Sequence, residues 1–456
     1  MPRALLFSVR IWKWRALTVN KTAGESRISL SVFASRAEAL KIPNKFAIAV
    51  SGGRDSMALA RLSADYAAKS GAQILALTVD HGLRPEAAKE ARQVAEWCTN
   101  VGIPHQMLQW DGTKPETGIQ AAARSARYRL LIEAAQNSGC DALLTAHTMD
   151  DQAETVFMRL ARGAGVRGLS AMRAETKVAS GAGAPIRLLR PMLEFRRMDI
   201  TQFLVEQGQD FIDDPSNDDD AYERVRVRAL IGALEEQNLL SGPALAASAA
   251  KMWDAQKRLR EAEHTLFNSL AGQFHHWGGV SLKCIDLVVG DTLVSLVRRL
   301  IFAVGGGDHP PNDAQAEAAI NQTLSSRAST LGGALLKMRK NRLWFLREPA
   351  ALLGRAGVAP LARVPLMGAL VWDNRFICVP NGLSAEVGPL GKEGEAALGV
   401  ARSLFDGPPE ALFTLPGVYA DGVLIGAPVR LFKGSDAAAF RSLTPERYAS
   451  EIVRFS

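Results

Sequence analysis

The stretch "AIAVSGGRDSMALARL" (residues 47–62) passes from an apolar strand through a Ser-Gly-Gly turn straight into a helix. Two adjacent glycines after a buried strand allow positive φ and remove the side chains that would hold a ligand away from the backbone. The helix that follows offers unpaired N–H groups and the positive end of its dipole. Ser51 and Ser56 add hydroxyl donors, so the turn is shaped for an anion, phosphate above all. It is not a Walker A loop, because no Lys follows Gly53 at the required spacing. The string "GAGVRG" (163–168) matches G-x-G-x-x-G but follows the helical "ETVFMRLAR" rather than a strand, which excludes a dinucleotide fingerprint.

Outward from this turn the chain repeats a strand-then-helix rhythm. "KFAIAV" (45–50) leads to a helix over 56–69, "QILALTVD" (73–80) to one over 85–101, "HQMLQW" (105–110) to one over 118–136, and "DALLTAH" (141–147) to one over 150–162. Such alternation predicts an α/β fold, a doubly wound parallel sheet whose ligands bind at the carboxyl ends of the strands. The unusual sequence sits at those ends: "SGGRDS", "VDHGLR" and "AHTMDDQAET".

Composition limits the function classes. Hydrophobic residues make up 47% and charged residues 22% of 456, and no apolar run reaches the ~20 residues of a membrane span, which predicts a soluble protein with no membrane partner. The four cysteines, Cys98, Cys140, Cys284 and Cys378, form no C-x-x-C pair, so they read as small buried hydrophobes in a reducing, cytoplasmic setting rather than as metal ligands. The net charge is +7, and residues 159–197 hold nine Lys/Arg against two Glu, a segment suited to nucleic acid. Residues 1–40 form a basic extension with no acid before Glu25; it reads as a poorly ordered extension, with an organellar transit peptide as the alternative.

"SGGRDS" resembles the SGGxDS signature of the N-type ATP pyrophosphatases, or PP-loop enzymes, which cleave ATP between its α- and β-phosphates. Within that superfamily "VDHGLR" (79–84), "ARSARY" (123–128), "AHTMDDQAET" (146–155), "RGAGVRGLSAM" (162–172), "RPML" (190–193) and "DDPSN" (213–217) resemble the tRNA(Ile)-lysidine synthetase family, in order over residues 45–230. The "PGVYADGVLIGAP" run (416–428) looks like the ending of that family's longer members. The resemblance implies ATP-dependent attachment of free L-lysine to the 2-position of the wobble cytidine in the CAU anticodon of tRNA(Ile), through an adenylated cytidine. It also implies a homodimer.

Each part of that chemistry has candidates. The pyrophosphate cradle is Ser51, Gly52, Gly53, Arg54, Asp55 and Ser56, with Asp80 in the nucleotide pocket. Asp55 repels phosphate directly, so Mg²⁺ bridging it to the phosphates is the natural arrangement. Asp150 and Glu154 share one helix face while Asp151 points about 100° away; one face then serves metal, through Asp150, and the other a cationic substrate. The same acids also suit a helix-capping cluster. The resemblance gives the lysine substrate to Asp151 and Arg127 and a catalytic or base-contacting role to His147. Arg124 and Arg127 lie three apart on one helix face, and Arg224 and Arg228 of "ERVRVR" four apart, spacings that suit RNA or solvated surface alike. Val225 stands where the family's pattern has Asn after the first of these arginines.

The domain expectation is a PP-loop catalytic domain over 41–235, a helical or mixed tRNA-binding domain over 236–350 and a β-rich domain over 355–456. Three rivals differ in their needs. A PP-loop thiolase calls for cysteines spaced for sulfur chemistry, an amidotransferase-like synthetase calls for an ammonia source, and a non-catalytic binding module has no reason to keep SGGxDS together with DDQxET.

Overall fold

The structure, a computed structural model, describes residues 10–11, 28–82, 87–111, 114–115, 117–213, 221–284, 288–355, 359–382, 384–429, 437–449 and 452–455. Most of the basic extension, the last two residues of "VDHGLR" and the last four of "DDPSN" lie outside them. The chain divides into two compact units: 1–180 with 184–257 and 453–456, and 181–183 with 258–452. The boundary between these units falls inside a long helix.

The first unit contains β1 (Arg10–Ile11), α1 (Leu30–Ala39), β2 (Lys45–Ala49), α2 (Arg54–Ser70), β3 (Gln73–Asp80), α3 (Ala87–Asn100), β4 (His105–Gln109), α4 (Ile119–Asn137), β5 (Ala142–Leu144) and α5 (Met149–Ala161). It continues through α6 (Val166–Leu169), β6 (Glu175–Ser180), β7 (Ile186–Leu189), α7 (Arg197–Glu206), β8 (Ile212–Asp213), α8 (Glu223–Glu236) and the start of α9 (Gly242–Ser269). The main sheet runs β21-β6-β7-β5-β2-β3-β4, where β21 is Ile452–Phe455. From β7 to β4 it is parallel; β6 is antiparallel to β7, so the expected parallel sheet carries an antiparallel margin.

Period-two alternation divides the core. Phe46, Ile48 and Val50 face α1, α2 and α7 on one side, whereas Ala47 and Ala49 face Tyr128, Leu131 and Ile132 of α4 on the other. Phe33 and Ala37 of α1 are fully buried in the first of these cores, so residues 30–39 pack into the first unit and are not a poorly ordered extension. The strand order reverses between β2 and β5, and a crevice outside their carboxyl ends is where such sheets bind ligands. "SGGRDS" leaves β2 there and "HTMDDQAET" leaves β5.

The second unit has two hydrophobic cores. One packs α10 (Asp291–Gly305) and α11 (Asp313–Ser326) on the antiparallel sheet β11-β12-β13-β10-β9, formed by Ala328–Leu331, Ala334–Arg339, Arg342–Arg347, Val280–Lys283 and Gln273–Phe274. The other gathers Trp372, Phe376, Val387 and Val418 among short antiparallel strands between Val364 and Ser442. Cys98, Cys140 and Cys378 are buried as expected; Cys284 is only half-buried. Among the described residues no helix is long and apolar enough to cross a membrane.

Candidate active site

The turn after β2 is built on Gly52. Its φ is +85°, its carbonyl accepts the Ile212 N–H at 2.9 Å, and a Cβ there would lie 2.6 Å from Ile212 Cδ1 and 2.7 Å from Val94 Cγ2. Gly53 is different. It caps α2 with φ −69° and no side-chain cap, and a Cβ there would meet nothing nearer than Ser51 Oγ at 3.8 Å. Packing therefore explains Gly52, while packing places no such demand on Gly53, whose backbone is bare toward the cleft. Gly52→Ala is expected to lose roughly 1–3 kcal/mol of stability. Gly53→Ala should leave thermal unfolding nearly unchanged, since a Cβ there makes only ordinary van der Waals contact.

The Ser56 hydroxyl donates to the Gly53 carbonyl at 2.8 Å and accepts the Ser51 N–H at 3.1 Å, which fixes the loop's curl. Around it lies a cleft of about 550 Å³ at the carboxyl ends of β2 and β3. Ser51, Gly53, Arg54, Asp55, Ser56, Asp80, Arg127 and Arg228 line it, together with His81, Arg197 and Asp213. Asp80 is buried and its Oδ1 accepts the Gly82 N–H at 2.8 Å, so it shapes the turn beside the cleft. Arg127 is half-buried, and among the described residues it has no hydrogen bond or ion pair; burial, then nearby Arg124, hold its guanidinium below the usual value against the pull of Tyr128. A charge so placed calls for an anion from outside the protein.

Arg197, the first residue of α7, organises the acids. Its Nε lies 3.6 Å from Asp55, Nη2 3.3 Å from Asp151 and Nη1 3.2 Å from Glu154, and its backbone N–H donates to Asp150 at 2.7 Å. Burial opposes its charge, but Asp151, Asp55 and Glu154 together hold its pKa above the ordinary value. Glu154 is 2% exposed and also takes Arg228 Nε at 2.9 Å. Asp151 closes a capping box with Thr148, as the capping reading expects. Asp150, Asp151, Glu154 and His147 lie beside the cleft rather than among the residues that line it, and the Asp150 carboxylate accepts the Arg197 N–H. Asp151 and Glu154, not Asp150 and Glu154, converge on one guanidinium.

His147 follows β5, with Nδ1 3.0 Å from Thr145 Oγ1. Burial first, then Arg190, with Arg127 and Arg124 behind it, pull its pKa down to about 4 against Asp151. The imidazole is neutral at pH 7. Because the unfolded chain protonates this ring near pH 6.5 and the folded one does not, stability is present above that value and is lost as pH falls toward the folded pKa. Between pH 7 and pH 5 wild type is expected to lose about 2 kcal/mol more than His147→Gln in urea unfolding.

Arg124 is exposed over the Tyr128 ring at 5.0 Å, and Arg224 stays on the exposed face of α8, outside the cleft. Two residues escaped the sequence reading. Arg190 stood inside "RPML" without a role, and Arg197 carried no local signal, since its partners on α5 lie 43 to 47 residues earlier and Asp55 lies farther back still.

A parallel-sheet crevice with an uncapped glycine-led helix at its edge suits a phosphate group, and residues 27–234 match the PP-loop domain family. The tRNA(Ile)-lysidine synthase of Ruegeria pomeroyi is 34% identical over 90% of this chain and 94% of its own. Those of Rhodopseudomonas palustris and Bradyrhizobium diazoefficiens are 38% and 48% identical over 66% and 43% of this chain, and 90% and 53% of their own. The chain belongs to the tRNA(Ile)-lysidine synthase family. These relatives are bacterial, which lends no support to the organellar reading of the N-terminal segment.

Proposed function

We propose that this enzyme is an ATP-using ligase that forms lysidine on tRNA(Ile), and that it does so in two steps at the cleft between β2, β3 and β5. In the first, the C2 carbonyl oxygen of the wobble cytidine in a CAU anticodon attacks the α-phosphorus of ATP and pyrophosphate leaves. In the second, the ε-amine of free lysine attacks C2, and AMP leaves with that oxygen. The observation that supports this reading best is the pairing, in one cleft, of an uncapped α2 N-terminus with the partnerless Arg127 beside an acid cluster.

The phosphates lie on the Ser51–Ser56 loop, where N–H groups and hydroxyls meet the charge that grows on leaving pyrophosphate. Mg²⁺ fits at Asp55: burial raises this carboxyl's pKa in spite of Arg197 and Arg54, so the carboxylate gains from a further cation, and the metal would supply charge neutralisation on the phosphates. Asp151 and Arg127 hold the charged ends of the lysine. His147, uncharged at neutral pH, takes a proton from the attacking amine. Arg124, Arg224 and Arg228 carry the RNA backbone. The homodimer implied by the resemblance belongs to the same proposal, and light scattering tests it.

The direct test is purified protein with ATP, Mg²⁺, radiolabelled lysine and a tRNA(Ile) transcript bearing CAU. ATP-dependent label in the RNA, with AMP and pyrophosphate released, is the expected result. ATP consumption that neither needs lysine nor labels this RNA would overturn the assignment.

A further inference from the structure

We propose that Arg173 and Trp253 form a stacking platform for an unpaired anticodon nucleotide next to the modified base, an inference that rests on the tRNA reading above. The Arg173 guanidinium lies 4.2 Å over the Trp253 ring, both residues are half-exposed, and the Lys257 ammonium is 6.0 Å from the same ring. Flat, partly exposed groups of this kind, edged by positive charge, are what single-stranded RNA stacks on.

The platform adjoins the reacting centre. The Arg173 carbonyl accepts from Arg190 Nη1 at 2.7 Å, and Arg190 is the cation that acts most strongly on His147. Arg190 thus links the segment of Arg173 to His147.

The segment that carries Arg173 is held with unusual care. The Gln152 side chain clamps Met172 from both sides, donating to its carbonyl and accepting its N–H, each at 2.8 Å. Ser170 donates to Gln256 on α9 at 2.8 Å, and Arg159 Nη1 donates to the Gly168 carbonyl at 2.7 Å. Between these anchors Ala171 sits at φ +46°, a left-handed conformation that an alanine adopts only where its surroundings impose it. Four ties and a strained alanine make sense for a segment that presents a binding group at a fixed place. They also give a use to Gln152 of the "DDQAET" motif, a residue the two-step chemistry leaves idle.

The full chain is used for the test. An anticodon stem-loop carrying CAU, titrated without ATP or lysine, should quench tryptophan emission of wild type more than that of Trp253→Phe. Trp253→Ala should raise KM for the tRNA(Ile) transcript about tenfold, with Trp253→Phe recovering most of the loss. KM for ATP should stay within about twofold in both, which also shows that they fold. An equal quench in wild type and Trp253→Phe, with an unchanged tRNA KM in Trp253→Ala, overturns the platform. A wild-type protein that binds the stem-loop through Trp253 but makes no lysidine supports the platform and overturns the ligase reading instead, so the two failures are distinct.

Discussion

Arg197→Ala is expected to lose about 3–5 kcal/mol of stability at neutral pH, the range seen when one partner of a buried ion network is removed. Lysidine formation should fall at least about a hundredfold with it. One guanidinium, 13% exposed, stands among Asp55, Asp151 and Glu154, and its loss leaves those charges facing one another in a partly dry cleft. Glu154 would keep Arg228, but its Oε2 is already buried without a hydrogen-bond partner. The pH dependence has a definite sign. Burial already raises the Asp55 carboxyl, and removing Arg197 raises it further. A group whose folded pKa exceeds its unfolded value contributes stability below the unfolded value, near 4, and loses it as pH rises. The deficit of the variant should therefore be largest at pH 7 and shrink toward pH 4, as read by urea unfolding. Arg197→Lys separates the roles: a point charge restores part of the stability, but not the three-way fork that spaces the acids, so activity should stay low.

What the sequence reveals here follows the range of the interactions. The glycine turn is local: a strand, two glycines and a helix lie within 16 residues, so the curl that Ser51 and Ser56 fix and the open α2 N-terminus are legible from backbone chemistry alone. Gly52 and Gly53 look alike in the sequence, and only the packing of Ile212 and Val94 shows that the fold requires the first and not the second. Helix-face arithmetic on α5 grouped Asp150 with Glu154, but the carboxylates are sorted by Arg197, which arrives from another helix. The same limit hid α1 inside the basic N-terminal segment, because Phe33 finds its partners only on the sheet and α2. It hid β21 as well, which joins the sheet beside β6 and stacks Phe455 on Tyr128 at 4.6 Å across more than three hundred residues of sequence.

Asp55→Asn should pull function and stability in opposite directions. Burial raises the carboxyl of Asp55, and Asp151 adds to the effect, while Arg197 and Arg54 oppose it. In wild type, then, the charged Asp55 lowers stability above the unfolded pKa of about 3.9, progressively as pH rises through the folded value. Asparagine has no charge to desolvate, and Arg197 keeps Asp151 and Glu154 as partners. The variant should thus melt at a higher temperature than wild type at pH 7, with the difference closing below about pH 4. Its pyrophosphate release should fall by roughly 10²–10³-fold, the scale for removing a preorganised electrostatic contact from a reacting centre. If Asp55 carries Mg²⁺ to the phosphates, ATP binding by the variant should also lose most of its dependence on Mg²⁺, which calorimetry with and without the ion reads directly. An Asp55→Asn protein that is less stable at pH 7 yet comparably active would make this residue an ordinary helix-start acid. A more stable, inactive and Mg²⁺-indifferent one would mean that the carboxylate is kept, against the stability of the empty protein, for the cation and triphosphate it meets there.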